Sequence, residues 1–356
     1  MKNLIFVLPR PATKIVGGFK VVYEYANYLV KNGYDVSIVY DCHEIGTRFS
    51  LNNNLIKRLW GRILYKQAKW FDLDRQIDVA FVGNSSQLKK IKSDLIIATA
   101  YNTVKIVEEV SFNEKTHKAY FIQDFENWNI KDEYIYDTYK NSLNKIVVSK
   151  WLLDIVKDYS DKMNIFYCPN GIDDNVFFVD NKIEKRNAYS ICFMYHEDER
   201  KGIKTLVPVI NRLKSEYPQL IVNSFGAYEK PDFIDIDYYT EYATPKMLHE
   251  IYNNSAIFIC SSYEEGFGLT GAESMACGCA LVTTETNGSR EYADESNAMI
   301  CRAKDVNDMY LKIKYLLENH DELHKLANKG ASDIKKMTLA NAQKNFADII
   351  NCIIDG

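Results

Sequence analysis

The chain has 356 residues, 47% of them hydrophobic and 26% charged. That is enough for two domains with large cores, and it excludes a disordered, collagen-like or disulfide-stapled chain. Its 44 basic and 48 acidic residues leave a net charge of −4, so no global basic field draws nucleic acid and no nucleic-acid partner is expected. The balance is uneven, because residues 1–100 carry 15 basic and 8 acidic residues, a positive patch on the first part of the chain.

Leu4–Leu8 reads as a buried strand, followed by Gly17-Gly18 and a helix over Phe19–Lys31 that ends at Asn32-Gly33. Val36–Tyr40 is the next strand. Further strand-like runs are Val79–Val82, Leu95–Thr99, Ala119–Gln123, Lys145–Val148 and Asn164–Cys168. The pattern restarts with a strand over Ser190–Tyr195, a helix over Thr205–Glu216 and a strand over Leu220–Phe225. Then come a helix over Lys246–Asn253, a strand over Ala256–Ser261, a helix over Leu269–Cys277 and a strand over Ala280–Thr284. Helices follow at Asp305–Glu318, Asp321–Met337 and Leu339–Ile354. Such alternation indicates parallel sheets covered by helices on both faces. The turn residues of Pro169-Asn170-Gly171-Ile172-Asp173 set the boundary. The expected domains are 1–172 and 188–337, with a linker over 173–187 and a helix over 338–356 that crosses back to the first domain. Ligands of open α/β sheets bind beyond the carboxyl ends of the strands, so two facing domains would form a cleft.

The eight cysteines form no CxxC pair, which removes zinc-ribbon and thioredoxin-type readings. Several lie in apolar runs such as Phe258-Ile259-Cys260, where the thiol acts as a small hydrophobe. The opening apolar run ends at Pro9-Arg10-Pro11, too short for a signal region, and no apolar run of about 20 residues exists. A cytoplasmic protein with reduced thiols is expected. His43, His117, His249, His320 and His324 have no metal-ligand spacing and read as surface residues, while Cys277 and Cys279 read as core.

The strongest motif is Ser261-Ser262-Tyr263-Glu264-Glu265-Gly266-Phe267-Gly268-Leu269-Thr270-Gly271-Ala272-Glu273. A strand ends in a loop with two glycines and a helix begins. Glycines let backbone amides approach an anion, and a helix N-terminus favours negative charge. A carboxylate accepts two hydrogen bonds and suits sugar hydroxyls. The expected picture is a diphosphate on the amides of Gly266, Phe267, Gly268, Leu269 and Thr270, with Glu273 on a ribose and Glu265 on a second sugar.

This stretch resembles the E-x7-E element of the retaining GT-B glycosyltransferases of family 4. Pro169-Asn170-Gly171-Ile172-Asp173 with Phe177, the run Cys277–Thr284 with Asn287-Gly288-Ser289-Arg290-Glu291, and Gly17-Gly18 match further elements of that family. The resemblance implies a GT-B fold of two Rossmann-like domains. It also implies transfer of a sugar from a nucleotide-diphosphate donor with retention at the anomeric carbon, and no metal or other cofactor. Asp72-Leu73-Asp74 and Asp235-Ile236-Asp237 match a DxD pattern by letter only. The family's Lys-Gly on the donor phosphates corresponds to Lys201-Gly202. Five residues earlier, where the family has Arg, stands His196, so either Arg200 or His196 supplies that charge. Gly17 and Gly18 imply close backbone approach to donor or acceptor. Near the family's sugar-facing His, this chain has Gln123-Asp124 within Tyr120–Glu126, a segment that resembles rhamnosyltransferases of bacterial surface-polysaccharide assembly. Asp124 either binds a hydroxyl or caps a turn. The resulting catalytic set is Glu265, Lys201, Arg200 and Asp124. A non-catalytic GT-B partner subunit and a nucleotide-sugar epimerase are the alternatives on the same fold.

Residues 55–71, LIKRLWGRILYKQAKWF, form an amphipathic pattern. Ile56, Leu59, Trp60, Ile63, Leu64, Trp70 and Phe71 share one side, Lys57, Arg58, Arg62, Lys66 and Lys69 lie mostly opposite, and no acid interrupts. The pattern suits an anionic membrane surface, but a domain helix laying its stripe on the sheet is the preferred reading, because Gly61 weakens the helix and the stripe must otherwise find cover. With the resemblance, it implies a glycan or lipid-linked acceptor and a peripheral position at the inner face of a cell membrane.

Overall fold

The computed structural model describes residues 1–45, 54–67, 70–90, 93–110, 116–128, 130–160 and 164–356. They form two compact units, Met1–Pro169 with Ala342–Gly356, and Asn170–Asn341. The second unit takes in residues 173–187 and the whole 188–337 stretch.

The first unit runs β1 (Asn3–Leu8), α1 (Gly17–Lys31), β2 (Asp35–Asp41), α2 (Asn54–Gln67), β3 (Asp78–Val82), β4 (Leu95–Ala98), α3 (Tyr101–Glu109), β5 (His117–Ile122), α4 (Asp132–Tyr139), β6 (Asn144–Val147), α5 (Lys150–Tyr159) and β7 (Ile165–Tyr167). Its seven strands pair in parallel in the order β3-β2-β1-β4-β5-β6-β7. Leu4 to Leu8 are buried without alternation, as a strand covered on both faces requires. The strand order reverses at β1, which pairs with both β2 and β4. Gly17 and Gly18 lie just beyond β1 as the first turn of α1, not in the free loop expected before a helix at Phe19.

The second unit runs β8 (Ser190–Tyr195), α6 (Ile203–Glu216), β9 (Ile221–Gly226), β10 (Tyr238–Glu241), α7 (Pro245–Asn253), β11 (Ile257–Cys260), α8 (Leu269–Ala276), β12 (Ala280–Thr284), β13 (Ala298–Cys301), α9 (Val306–Glu318) and α10 (His320–Ile334). The parallel order is β10-β9-β8-β11-β12-β13, with its reversal between β8 and β11. Ile191, Phe193, Val222, Ile257, Ile259 and Val282 pack on one face against Leu206, Ile210 and Leu213 of α6, Ile313 of α9 and Leu323 of α10. On the other face Phe258 meets Phe225 and Tyr252. The period-two alternation of strand side chains divides the two sets. Finally α11 (Leu339–Asp355) supplies Phe346 to the first unit, where it packs on Phe6, Tyr25 and Phe121.

The stripe on α2 faces the other way from an ordinary domain helix. Leu55, Ile56, Leu59, Trp60 and Ile63 are exposed, while Lys57 is buried with Nζ donating to the His43 carbonyl and Arg58 Nε donates to the Phe81 carbonyl at 2.9 Å. The expectation that the apolar stripe lies on the sheet is therefore overturned. The cause is Gly61. A Cβ there would meet Cys42 Sγ at 2.5 Å and Phe81 at 3.0 Å, so the bare glycine edge sits on the sheet and fixes the roll of the helix. Trp70 and Phe71 leave the helix and pack on Tyr23. Ala68 and Lys69 lie outside the described residues.

Candidate active site

The switch point of the second sheet carries the site, since the loop after β8 and the loop after β11 emerge side by side there. After β8 the chain makes a short 3-10 turn over Glu199–Lys201, capped by the Asp198 carboxylate accepting from Arg200 N. Gly202 follows with φ +68°, a conformation that costs a side-chain-bearing residue. A Cβ at Gly202 would also come within 1.8 Å of the Ser261 carbonyl oxygen. The turn is thus laid on the backbone of the second loop, and two hydrogen bonds hold it there: Tyr263 N to the Arg200 carbonyl at 2.6 Å and Ser261 Oγ to the Lys201 carbonyl at 2.8 Å.

This docking brings Lys201 and Glu265 together. Lys201 Nζ donates to Glu265 Oε1 at 2.7 Å, and Ser262 Oγ donates to the same oxygen at 2.7 Å. Neither side chain is fully exposed. Gly268, with φ +86°, forms the N-cap of α8, and Tyr292 Oη donates to its carbonyl at 2.7 Å. The amides of Leu269 and Thr270 in the first turn have no helical acceptor by position and carry the positive end of the helix dipole. Glu273 lies one turn further on, only 4% exposed. Phe267 is buried with its ring on Tyr292, so its part in any ligand contact is limited to backbone.

Neither replacement for the family's Arg is a bare cation. Burial, reinforced by Lys201 and Arg200, holds the His196 imidazole below its ordinary range, while Asp198 and Glu265 pull the other way. Its Nδ1 accepts from Asp198 N at 2.9 Å, so the ring is neutral. Arg200 pairs with Asp198 through Nε at 3.1 Å and Nη2 at 2.5 Å. Burial pushes the Asp198 carboxyl up, but the hydrogen bonds and charge of Arg200 outweigh it and hold it below the usual carboxylate range.

In the first unit, Gln123 Nε2 donates to the Gly18 carbonyl at 3.2 Å, which brings the expected Gly17-Gly18 and Gln123-Asp124 elements together beyond the strand ends. Asp124 Oδ1 accepts from Phe125 N at 2.8 Å, a turn-stabilising bond. Two acids that the sequence reading did not single out lie at or just beyond strand ends of this sheet, Glu126 after β5 and Asp41 on β2. Glu126 accepts from Tyr101 N at 2.6 Å, and burial pushes its carboxyl up to about 8 against the lowering effect of that bond. Asp41, buried at the end of β2, holds His43 Nδ1 at 2.6 Å. The hydrogen bond from Asp41 raises the His43 pKa, with burial opposing, so His43 is a paired side chain rather than a plain surface one. His249 is likewise mostly buried, against the Phe178 ring. Cys277 and Cys279 are buried.

The two letter-matches to DxD are structural. Asp74 Oδ1 accepts from Gln76 N, and Asp237 binds Lys214 and the Val222 amide. Among the described residues no cluster of three His, Cys, Asp or Glu could hold a metal ion, and no helix is long and apolar enough to cross a membrane.

Two parallel Rossmann-like sheets define the GT-B fold class. Residues 177–333 match the family described as "Glycosyl transferases group 1", so the glycosyltransferase class expected from the sequence is the class of the family the second unit matches. The fold is shared with HepE from Anabaena, solved in complex with UDP. The TM-score is 0.75 over 99% of this chain and 100% of that one, at 12% identity. Among curated proteins, the chain is 26% identical over 221 residues to a probable sucrose-phosphate synthase of Thermosipho melanesiensis, covering 56% of this chain and 49% of that protein. It is 27% identical over 139 residues to the N,N'-diacetylbacillosaminyl-diphospho-undecaprenol alpha-1,3-N-acetylgalactosaminyltransferase of Campylobacter jejuni, covering 37% and 36% respectively. The chain thus spans at most about half the length of these curated relatives.

Proposed function

We propose that this chain is a retaining glycosyltransferase that moves a sugar from a nucleotide-diphosphate sugar to a hydroxyl of a glycan or lipid-linked acceptor, without a metal. The observation that carries this reading is the Lys201–Glu265 pair at 2.7 Å beside the glycine-capped start of α8. It joins a cation and helix amides suited to a diphosphate with a carboxylate suited to sugar hydroxyls. In this reading Lys201 and the amides of Leu269 and Thr270 stabilise the charge that develops on the leaving diphosphate. Glu265 grips the transferred sugar and Glu273 the ribose, while Gly17, Gly18 and Asp124 serve the acceptor or the donor edge. The bond from the anomeric carbon to the phosphate oxygen breaks, the bond to the acceptor oxygen forms on the same face, and the acceptor proton passes to the departing phosphate oxygen.

The likeness to a protein solved with UDP supports a nucleotide-diphosphate donor. The Campylobacter relative, named for a diphospho-undecaprenol substrate, supports a lipid-linked acceptor; on that reading the chain works in surface-polysaccharide assembly, cytoplasmic and peripheral at a membrane. The test is a thermal-shift panel of UDP, GDP, ADP and dTDP, followed by NMR of the product formed from the matching nucleotide sugar. One diphosphate should raise Tm in proportion to saturation, and the product should keep the anomeric configuration of the donor. A panel in which no diphosphate shifts Tm would sink the reading.

A further inference from the structure

We propose that the outward face of α2, made of Leu55, Ile56, Leu59, Trp60 and Ile63 with Arg62 and Lys66 beside it, docks on the surface of an anionic lipid bilayer. This deepens the reading of a lipid-linked acceptor and rests on it for its biological use. The first observation is exposure. Leu55 is 71%, Leu59 58% and Trp60 50% exposed, with Ile56 and Ile63 also open. Positions 55, 56, 59, 60 and 63 recur at helical spacing and form one continuous apolar strip.

The second observation is that the roll of the helix is fixed. Gly61 lies tight on Cys42 and Phe81, Tyr65 packs on Tyr40 and Phe81, and Lys57 and Arg58 hold the His43 and Phe81 carbonyls. The apolar strip therefore cannot be hidden by a small rotation. Lys57 and Arg58, which the sequence pattern offers as headgroup ligands, point inward as struts.

The third observation is charge. Between Glu44 and Asp72 the sequence has six basic residues and no acid, and within the helix Arg62 and Lys66 stay exposed beside the strip. An apolar strip with an aromatic residue and flanking cations suits the boundary between headgroups and acyl chains of a negatively charged leaflet. The same charges disfavour a second copy as the occupant, since two such faces would set Arg62 and Lys66 against their own counterparts.

The test uses the full chain sedimented with vesicles of phosphatidylcholine, with and without phosphatidylglycerol. The chain should pellet with the phosphatidylglycerol vesicles. The double variant Leu59→Ser with Trp60→Ser should weaken that binding by roughly tenfold or more with Tm unchanged, because both side chains already face solvent. Arg62→Glu with Lys66→Glu should remove the preference for the anionic lipid, and Lys105→Glu, an exposed lysine of α3, should leave it unchanged. Trp60 emission should move to the blue on vesicle binding, and Trp60→Phe should lack that component. No binding to anionic vesicles, undiminished binding by the Ser variant, or a dimer in sedimentation velocity that the Ser variant dissolves would overturn the proposal. Thermal shift with UDP, GDP, ADP and dTDP on the same preparations separates the two readings. A chain that binds one of these but no vesicle defeats the docking face alone, whereas one that binds vesicles but no nucleotide defeats the donor site.

Discussion

The α-carbon of Gly202 lies so close to Ser261 that a side chain would strike the Ser261 carbonyl, 1.8 Å from the position of a Cβ. The lysine turn and the glutamate loop are therefore one rigid piece, and the distance from Lys201 to Glu265 is set by backbone contact rather than by two flexible side chains. Gly202→Ala introduces both a left-handed strain and a steric overlap, so it should destabilise the second unit by about 2 kcal/mol or more. It should also weaken nucleotide-diphosphate binding. Urea unfolding and UDP titration check the two effects. A variant with native stability and native affinity would show that the two loops can separate freely.

Lys201 and Glu265 should give opposite results with a bare nucleotide diphosphate. On the proposed reading Lys201→Met removes a charge-assisted contact to phosphate, and affinity should fall by about 2–3 kcal/mol, or roughly a hundredfold. Glu265→Gln removes the anion that holds Lys201, so the diphosphate should bind at least as tightly as to the parent chain, while sugar transfer falls by roughly a hundredfold or more. Calorimetry with UDP and a transfer assay on the same samples distinguish these. Equal losses of UDP affinity in both variants would contradict the division of labour.

Asp198 restrains Arg200. Asp198→Asn keeps an oxygen for the Arg200 amide that caps the 3-10 turn but releases the guanidinium from its bidentate partner. If Arg200 lies within reach of the donor phosphates, UDP affinity should rise several-fold, roughly 1 kcal/mol. The gain should shrink as salt is added. Unchanged affinity at low salt would remove Arg200 from the site.

Glu126 sets a pH dependence. Its carboxyl is pushed up by burial to about 8, from an ordinary 4.5. Below pH 4.5 both folded and unfolded chains hold the proton, and the group contributes no penalty. Between 4.5 and 8 the unfolded chain releases its proton while the folded chain keeps it, so stability falls as pH rises and levels off above 8. Glu126→Gln keeps an acceptor for the Tyr101 amide and removes the titration. The variant should therefore gain in Tm relative to the parent chain as pH goes from 5 to 8. Parallel Tm curves would show that the carboxyl ionises normally.

Much of this architecture could be read from the chain itself because buried parallel strands leave short unbroken apolar runs, such as Leu4–Leu8 and Ser190–Tyr195, that match the observed strands closely. The edge strand Tyr238–Glu241 escaped because its residues are half-buried or exposed and form no apolar run. The resemblance placed Lys201 and Glu265 at one donor site, but their direct contact did not follow from the motifs. The neutral state of His196 and the raised carboxyl of Glu126 were not legible either, since burial is the first cause of both shifts and burial is decided by the packing of the whole unit. The direction of α2 was equally hidden. A helical periodicity reports that two faces differ but not which one meets the protein, and here the deciding residue was Gly61, whose value lies in the atoms it lacks.

Phe346 has a consequence for the order in which the molecule assembles. It fills the space between Phe6, Tyr25 and Phe121, yet about 170 residues of another folding unit separate it from the rest of its own. On the ribosome, the earlier-made sheet emerges with a vacancy at its centre, and the later-made sheet can finish before that vacancy closes. A nascent chain halted before residue 342 should present its N-terminal half as a loosened, protease-sensitive body beside a settled neighbour.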